Sequence, residues 1–287
     1  MIATDQPGKS LVVHGVEVPT FLYGTAWKEE RTEGLVRQAL AAGFRGIDTA
    51  NQRRHYNESG VGAALAEVLA AGDLSRDALF LQTKYTYREG QDHRLPYDPA
   101  ADYPTQVRQS FESSLEHLGV EHIDSFLLHG PRTRRGLSEA DRQVWRAMEE
   151  LHREGRARLL GISNVSAEQV ATLCEIAAVK PAFVQNRCFA RQGWDREVRA
   201  VCRREGVVYQ GFSLLTANQA ELASRTMREI AAQHDRTVPQ VVFRFALQVG
   251  MICLTGTTDP EHMRDDLAVH DLVLAEQEVD TIERLSE

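Results

Sequence analysis

Eight times along this chain a short β-branched or aromatic run gives way to a helical stretch, and few folds accept that rhythm. FLYGT precedes TEGLVRQALAAG, GIDTA precedes GVGAALAEVLAAG, LFLQTKY precedes PTQVRQSFESSLEHLG, and SFLLHG leads to DRQVWRAMEELHREG. RLLGISN then leads to SAEQVATLCEIAA, AFVQNRC to WDREVRAVCRREG, VVYQGFSLL to SRTMREIAAQHD, and MICLTGT to PEHMRDDLAV. Nearly continuous apolar strands alternating with helices imply a parallel sheet covered by helices, and eight units favour closure over an open sheet. Several helices end in glycine (Gly43, Gly72, Gly119, Gly155 and Gly206), the residue that turns left-handed at low cost, and the next strand soon follows. Ahead of the first unit, LVVHG and VEVPT read as a hairpin through Gly15 that caps one end of the core. The expected fold is a single α/β domain over residues 1–287, a (β/α)8 TIM barrel with an N-terminal β-hairpin.

The bulk properties narrow the partners. Acidic residues outnumber basic ones by 41 to 33, a formal net charge of −8, and no dense basic run stands out, so nucleic acid is not an expected partner. Cys174, Cys188, Cys202 and Cys253 show neither a CxxC nor metal-ligand spacing, which predicts buried free thiols in a reducing cytoplasm and no metal site. MIATDQPGKS lacks the apolar core of a leader, and no run approaches the roughly 18 apolar residues of a membrane span. Hydrophobic content of 43% and charged content of 26% are ordinary for a soluble globular enzyme with a large core.

Four polar residues close or follow apolar runs and carry the chemistry: Asp48 in GFRGIDTA, Tyr56 in RRHYNE, Lys84 in LFLQTKY and His129 in SFLLHGP. In a parallel barrel the strands end on a common face, so these groups are expected to converge there. A tyrosine serves as a general acid near neutral pH when a neighbouring ammonium favours its phenolate, and a carboxylate holds that ammonium charged. Tyr56, Lys84 and Asp48 supply those parts, and His129 adds a hydrogen bond to a carbonyl oxygen. Carbonyl reduction with hydride from a nicotinamide is the natural reaction. No GxGxxG follows the first strand, so a dinucleotide must be held without that loop. The irregular stretch at residues 85–104 follows a strand and is expected over the same face, with Trp27, Tyr85, Tyr87 and Trp194 as candidate apolar walls.

These residues resemble a known family over essentially the whole chain, the aldo-keto reductases, which are (β/α)8 barrels binding NADP(H) or NAD(H). GFRGIDTA with the following NE and GVG is similar to its first signature, LQTK to its strand-three lysine and LLHGP to its strand-four histidine. The resemblance implies that Ser163 and Asn164 of GISNV, with Gln185 of FVQNRC, bond the nicotinamide carboxamide. Phe212 would stack on the nicotinamide ring where the family more often has tyrosine, and Ser213 and Leu214 would approach the diphosphate. LTGTTDPEHMRDDL is similar to the segment that grips the adenosine phosphate, implying roles for Gly256, Thr257, Thr258, His262, Arg264 and Asp266. The usual strand-eight lysine and following-helix arginine fall on Gly256 and His262 in this alignment. NADP(H) is expected ahead of NAD(H).

One further departure concerns the proton donor. The family tyrosine lies five residues after the aspartate, a position that here is Arg53, and Tyr56 stands on what reads as a two-residue insertion. Tyr56 is the preferred donor, with His55 the alternative by counting back from Glu58. Arg53, Arg54 and His55 together suggest a cationic pocket. The implied activity is NAD(P)H-dependent reduction of an aldehyde or ketone; a redox-neutral lyase or dehydratase, or a nicotinamide-binding regulatory subunit, are the alternatives.

Overall fold

The structure, a computed structural model, describes residues 8–286, so the first seven residues of the N-terminal segment considered above lie outside them. The described chain enters through an antiparallel hairpin, β1 (Ser10–Val13) and β2 (Val16–Pro19), turned at His14 and Gly15 with φ of 47° and 80°. Left-handed values at both turn positions match the twist of the paired strands, and glycine meets that demand without strain. Eight parallel strands then close into a barrel: β3 (Phe21–Gly24), β4 (Gly46–Asp48), β5 (Phe80–Tyr85), β6 (Ile123–Leu128), β7 (Ala157–Ser163), β8 (Phe183–Arg187), β9 (Val208–Phe212) and β10 (Met251–Thr255). They follow in chain order, and β10 pairs back onto β3.

The covering helices are α1 (Thr32–Ala42), α2 (Glu58–Ala71), α3 (Tyr103–Leu118), α4 (Glu139–Arg153), α5 (Ala167–Ile176) and α6 (Arg196–Glu205), one after each of β3 to β8. Three follow β9: α7 (Gln219–Leu222), α8 (Arg225–Gln233) and α9 (Val238–Gln248). The chain closes with α10 (Pro260–Leu267) and α11 (Glu276–Glu283). Helix α9 has no counterpart in the eightfold reading: Gln240, Arg244 and Gln248 recur at four-residue spacing, but the helix follows α8 with no strand between them and so falls outside the β-to-α alternation. Its start was marked nonetheless: Thr237 and Gln240 form a capping box, with Pro239 in the first turn.

Period-two alternation grades the barrel interior from apolar to polar. Phe80, Gln82 and Lys84 alternate along β5, Phe183, Gln185 and Arg187 along β8, and Val208, Gln210 and Phe212 along β9. At the N-terminal end, Phe80, Phe183, Leu22, Leu159 and Ile252 cluster with Val13, Val16 and Val18 of the hairpin, which caps that end as expected. One layer higher the core turns into amides. Gln82 and Gln210 bond reciprocally at 2.8 and 3.0 Å, Ser125 Oγ donates to Gln82 Oε1 at 2.8 Å, and Gln185 Nε2 donates to Gln210 Oε1 at 3.0 Å. Buried amides are tolerated when paired in this way. All four cysteines are buried free thiols.

Candidate active site

The amide layer is the floor on which the expected catalytic groups stand. Asp48 ends β4 and accepts from Gln82 Nε2 at 2.7 Å and Gln185 Nε2 at 2.9 Å. Lys84, one residue before the end of β5, is fully buried beside it. Its Nζ donates to the two Asp48 oxygens at 2.7 and 2.8 Å and to Thr49 O at 2.7 Å, which uses all three of its protons. Burial pushes the Lys84 ammonium down, while the charge and hydrogen bond of Asp48 pull it up.

Tyr56 stands on the β4–α2 loop, one residue before the α2 N-cap Asn57, with its backbone N donating to Gln52 O at 3.0 Å. Lys84 Nζ lies 5.4 Å from the Tyr56 ring centroid, and the ring meets His129 edge-on at 5.9 Å and 69°. The expected acidification of the phenol by a lysine hydrogen bond is absent from this geometry, because Asp48 and Thr49 take every Lys84 proton. Burial, then the Asp48 charge, push the Tyr56 hydroxyl well above its ordinary range, so it holds its proton. His55 instead stacks on Trp27 with ring centroids 3.9 Å apart. Of the two candidate donors, Tyr56 is the one between Lys84 and His129.

His129 follows β6, with its Nδ1 2.7 Å from Thr86 Oγ1. Burial, then the charges of Lys84 and His55, push its imidazole down to about 3, so it is neutral near pH 7. The tautomer in which Nδ1 accepts the Thr86 hydroxyl proton carries its N–H on Nε2, free for a ligand oxygen.

Asp48, Tyr56 and His129 open onto one pocket of about 1190 Å³, with Lys84 just behind its wall. Further along, Ser163, Asn164 and Gln185 stand together. Ser163 Oγ donates to Gln185 O at 2.6 Å, Asn164 Nδ2 to His129 O at 2.8 Å and Ser163 Oγ at 3.1 Å, and Gln185 Nε2 to Asp48 and Gln210. Their protons are spent on the protein, so what they offer is oxygen acceptors, a set that fits the NH2 of a carboxamide. Phe212, Ser213 and Leu214 continue the wall, and Gly256, Thr257, His262 and Asp266 line the far end. Burial raises the Asp266 carboxyl to about 6, against the Thr255 hydroxyl that donates to it at 2.8 Å and the nearby His262. Length, an aromatic face and an acceptor cluster together fit a nicotinamide dinucleotide.

Several expectations fall elsewhere. Thr258 and Arg264 are exposed and do not line the pocket. Nor do Arg53 and Arg54; only His55 of that cationic trio does. Trp27 and Tyr87 line the wall as expected, but Tyr85 is core, bonding Gln106 Oε1 at 3.2 Å, and so is Trp194, whose Nε1 donates to Ile282 O at 2.8 Å. The long segment contributes Thr86, Tyr87, Glu89 and Gly90 to the pocket. Lys28, Arg187 and the Gln82–Gln210 pair escaped the sequence reading. Gln82, two residues before Lys84, and Gln185 and Gln210 on their strands, were legible as inward by alternation. Lys28, in the loop after β3, carried no such signal. Among the described residues, no group of three or more His, Cys, Asp or Glu side chains is arranged to hold a metal, and no helix is long and apolar enough to cross a membrane.

Comparison with known proteins agrees with this geometry. The model of the Aldo/keto reductase family matches residues 20–287. The chain is 28% identical over 288 residues to an uncharacterised oxidoreductase, YtbE, of Bacillus subtilis (strain 168), covering 100% of this chain and 95% of that protein. It is 29% identical over 275 residues to a glyoxal reductase of the same organism, covering 95% and 91% of the two chains. The crystal structure of an aldo/keto reductase from Brucella melitensis superposes with a TM-score of 0.80 at 26% identity, over 96% of this chain and 98% of that one. With barrel, pocket and family match all in agreement, this chain belongs to the aldo/keto reductase family.

Proposed function

We infer that the protein uses NAD(P)H to reduce an aldehyde or ketone to an alcohol, with Tyr56 as the proton donor. The observation that carries this reading is the convergence of Asp48, Lys84, Tyr56 and His129 at one end of a pocket whose next wall offers Ser163, Asn164 and Gln185. A bound reduced nicotinamide supplies hydride to the carbonyl carbon. Tyr56, kept protonated, gives its proton to the carbonyl oxygen as negative charge grows there. The His129 Nε2–H positions that oxygen. Lys84, held beside the Tyr56 ring by its ion pair with Asp48, is the cation that opposes the Asp48 charge and favours the phenolate left by the transfer.

NADP(H) is taken as the preferred coenzyme over NAD(H), with His262 the basic group of α10 that lines the far end of the pocket. Comparing NADPH and NADH as reductants tests that preference. The name of the relative, glyoxal reductase, supports including a small aldehyde among the test substrates. The four free thiols support a reducing compartment, the cytoplasm, as the setting.

The decisive experiment mixes purified protein with NADPH or NADH and a panel of aldehydes and ketones, and follows loss of reduced-coenzyme absorbance. Tyr56→Phe is expected to lower kcat by about 10²- to 10⁴-fold with coenzyme affinity unchanged. Parental turnover in Tyr56→Phe would remove the tyrosine from its role. Coenzyme binding without oxidation by any carbonyl would point to a regulatory subunit, and conversion indifferent to coenzyme depletion to a redox-neutral enzyme.

A further inference from the structure

Outside the barrel a separate cavity of about 460 Å³ opens between α4 and α5, and no residue that lines it also lines the coenzyme pocket. Helix α3 packs closely on α4, and α5 on α6, whereas α4 and α5 scarcely touch. The gap between them is apolar inside. Its floor is Leu128 and Ile162, the outward-pointing residues just before His129 and Ser163. Trp145 and Leu173 wall it from the two helices, and Ile176, 41% exposed, stands at its mouth. The Trp145 ring is held in place by its Nε1, which donates to Val179 O at 3.2 Å. In volume the cavity falls within the roughly 300–1,000 Å³ of small-molecule sites.

The charged side chains around it are matched, with one exception. Glu139 and Arg146 pair at 2.7 Å. Glu149 accepts from Val179 N at 3.0 Å and faces Arg153 Nη2 at 3.7 Å. Asp141 accepts from Ser138 N and Oγ, from the Tyr87 hydroxyl and from Arg132 N. The half-buried Arg142 guanidinium has no hydrogen bond, ion pair or ring contact among the described residues. Many arginines are satisfied by solvent alone, but Arg142 lines this cavity on the same face of α4 as Trp145, three residues on. An apolar cavity with one unmatched guanidinium complements a ligand with an apolar body and a single carboxylate, whose planar pair of oxygens suits the guanidinium fork.

We propose that the α4–α5 cavity binds a small monocarboxylate with an apolar alkyl or aryl body, its carboxylate on Arg142 and its body against Trp145, Leu173 and Ile176. The site is distinct from the coenzyme pocket, so the assignment stands or falls independently of the reductase reading.

The test titrates octanoate, and octanol as its uncharged counterpart, into isotope-labelled protein and follows the indole N–H signals of its three tryptophans by NMR. Trp145 reports this cavity, Trp27 the coenzyme pocket and Trp194 the core. Octanoate is expected to shift the Trp145 signal saturably and to leave Trp194 in place. Arg142→Gln is expected to weaken octanoate by about three- to tenfold and to leave octanol unchanged, while Arg142→Lys recovers part of the loss. Ile176→Glu sets a like charge at the mouth and is expected to weaken octanoate at least as much. Circular dichroism confirms folding, and the comparison of octanoate with octanol on the wild type makes the charge test without any substitution. A Trp145 signal unmoved by octanoate up to its micelle concentration overturns the proposal, as does wild-type affinity for octanoate in Arg142→Gln. Equal affinity for octanol and octanoate would leave an apolar cavity with no preference for anions, and movement confined to Trp27 would place octanoate in the coenzyme pocket; either result overturns the assignment.

Discussion

Because burial, Lys84 and His55 hold the His129 imidazole down to about 3, the folded protein binds its proton far less readily than the unfolded chain, whose histidine titrates near 6.5. Between those values the unfolded state carries more protons, so stability rises with pH across the window and is lost as pH falls through about 6.5 toward 3. Water entering the pocket screens part of this effect. Between pH 7.5 and 5 we expect the wild type to lose about 1–2 kcal/mol more than His129→Gln, measured by urea melts at each pH. An equal loss in both proteins would show that His129 is not held neutral. At this scale the sequence told which residue types are present and little about what each one touches. Tyr56 and His55 are adjacent in the chain, yet one ring meets His129 while the other stacks on Trp27, a choice made by the Gln52 turn and the Trp27–His55 backbone bond. Lys84 likewise reads as a partner for a phenol, and its protons go instead to Asp48 and Thr49.

Helices α2 and α3 approach so closely that a Cβ on Gly62 would lie 2.0 Å from the backbone O of His117. Backbone cannot swing aside as a long side chain can, so Gly62→Ala is expected to cost about 1–3 kcal/mol and lower Tm by several degrees in calorimetry. An unchanged Tm would mean the two helices can slide apart freely. The contact matters beyond packing, because buried Glu58 at the start of α2 accepts from Ser114 Oγ at 3.2 Å on α3 and also from Thr83 Oγ1 on β5. That links the helix pair to the strand carrying Lys84. Strands and capped amphipathic helices were legible because their patterns are local, as with Gly43 and Gly119 closing α1 and α3. Helix α9 was not, since it follows α8 with no strand between them, and an alternation of strands and helices leaves no place for a second helix in one unit.

For the whole molecule, the pocket runs from Tyr56 to Asp266 and is walled by loops from most of the barrel, so a ligand filling it ties those loops together. Coenzyme at about 100 times its Kd would stabilise the fold by about 2.7 kcal/mol, raising Tm by roughly 4–5 °C. Differential scanning fluorimetry with and without NADPH checks this; a flat Tm at saturating coenzyme would argue against binding in this pocket. The eightfold β-to-α alternation, the hairpin and the polar strand ends stood in the linear chain, because period, propensity and capping act over a few residues. Closure of the barrel then gave Asp48, Lys84 and His129 a common face, a consequence of parallel strands that a reader of the chain could foresee. Which amide bonds which carboxylate, which aromatic ring meets His129, and how Lys28 comes to stand beside Gly256, 228 residues away in the chain, were settled only by the tertiary fold. Such contacts arise from side chains distant in sequence competing for a few buried partners, and no local pattern records the outcome.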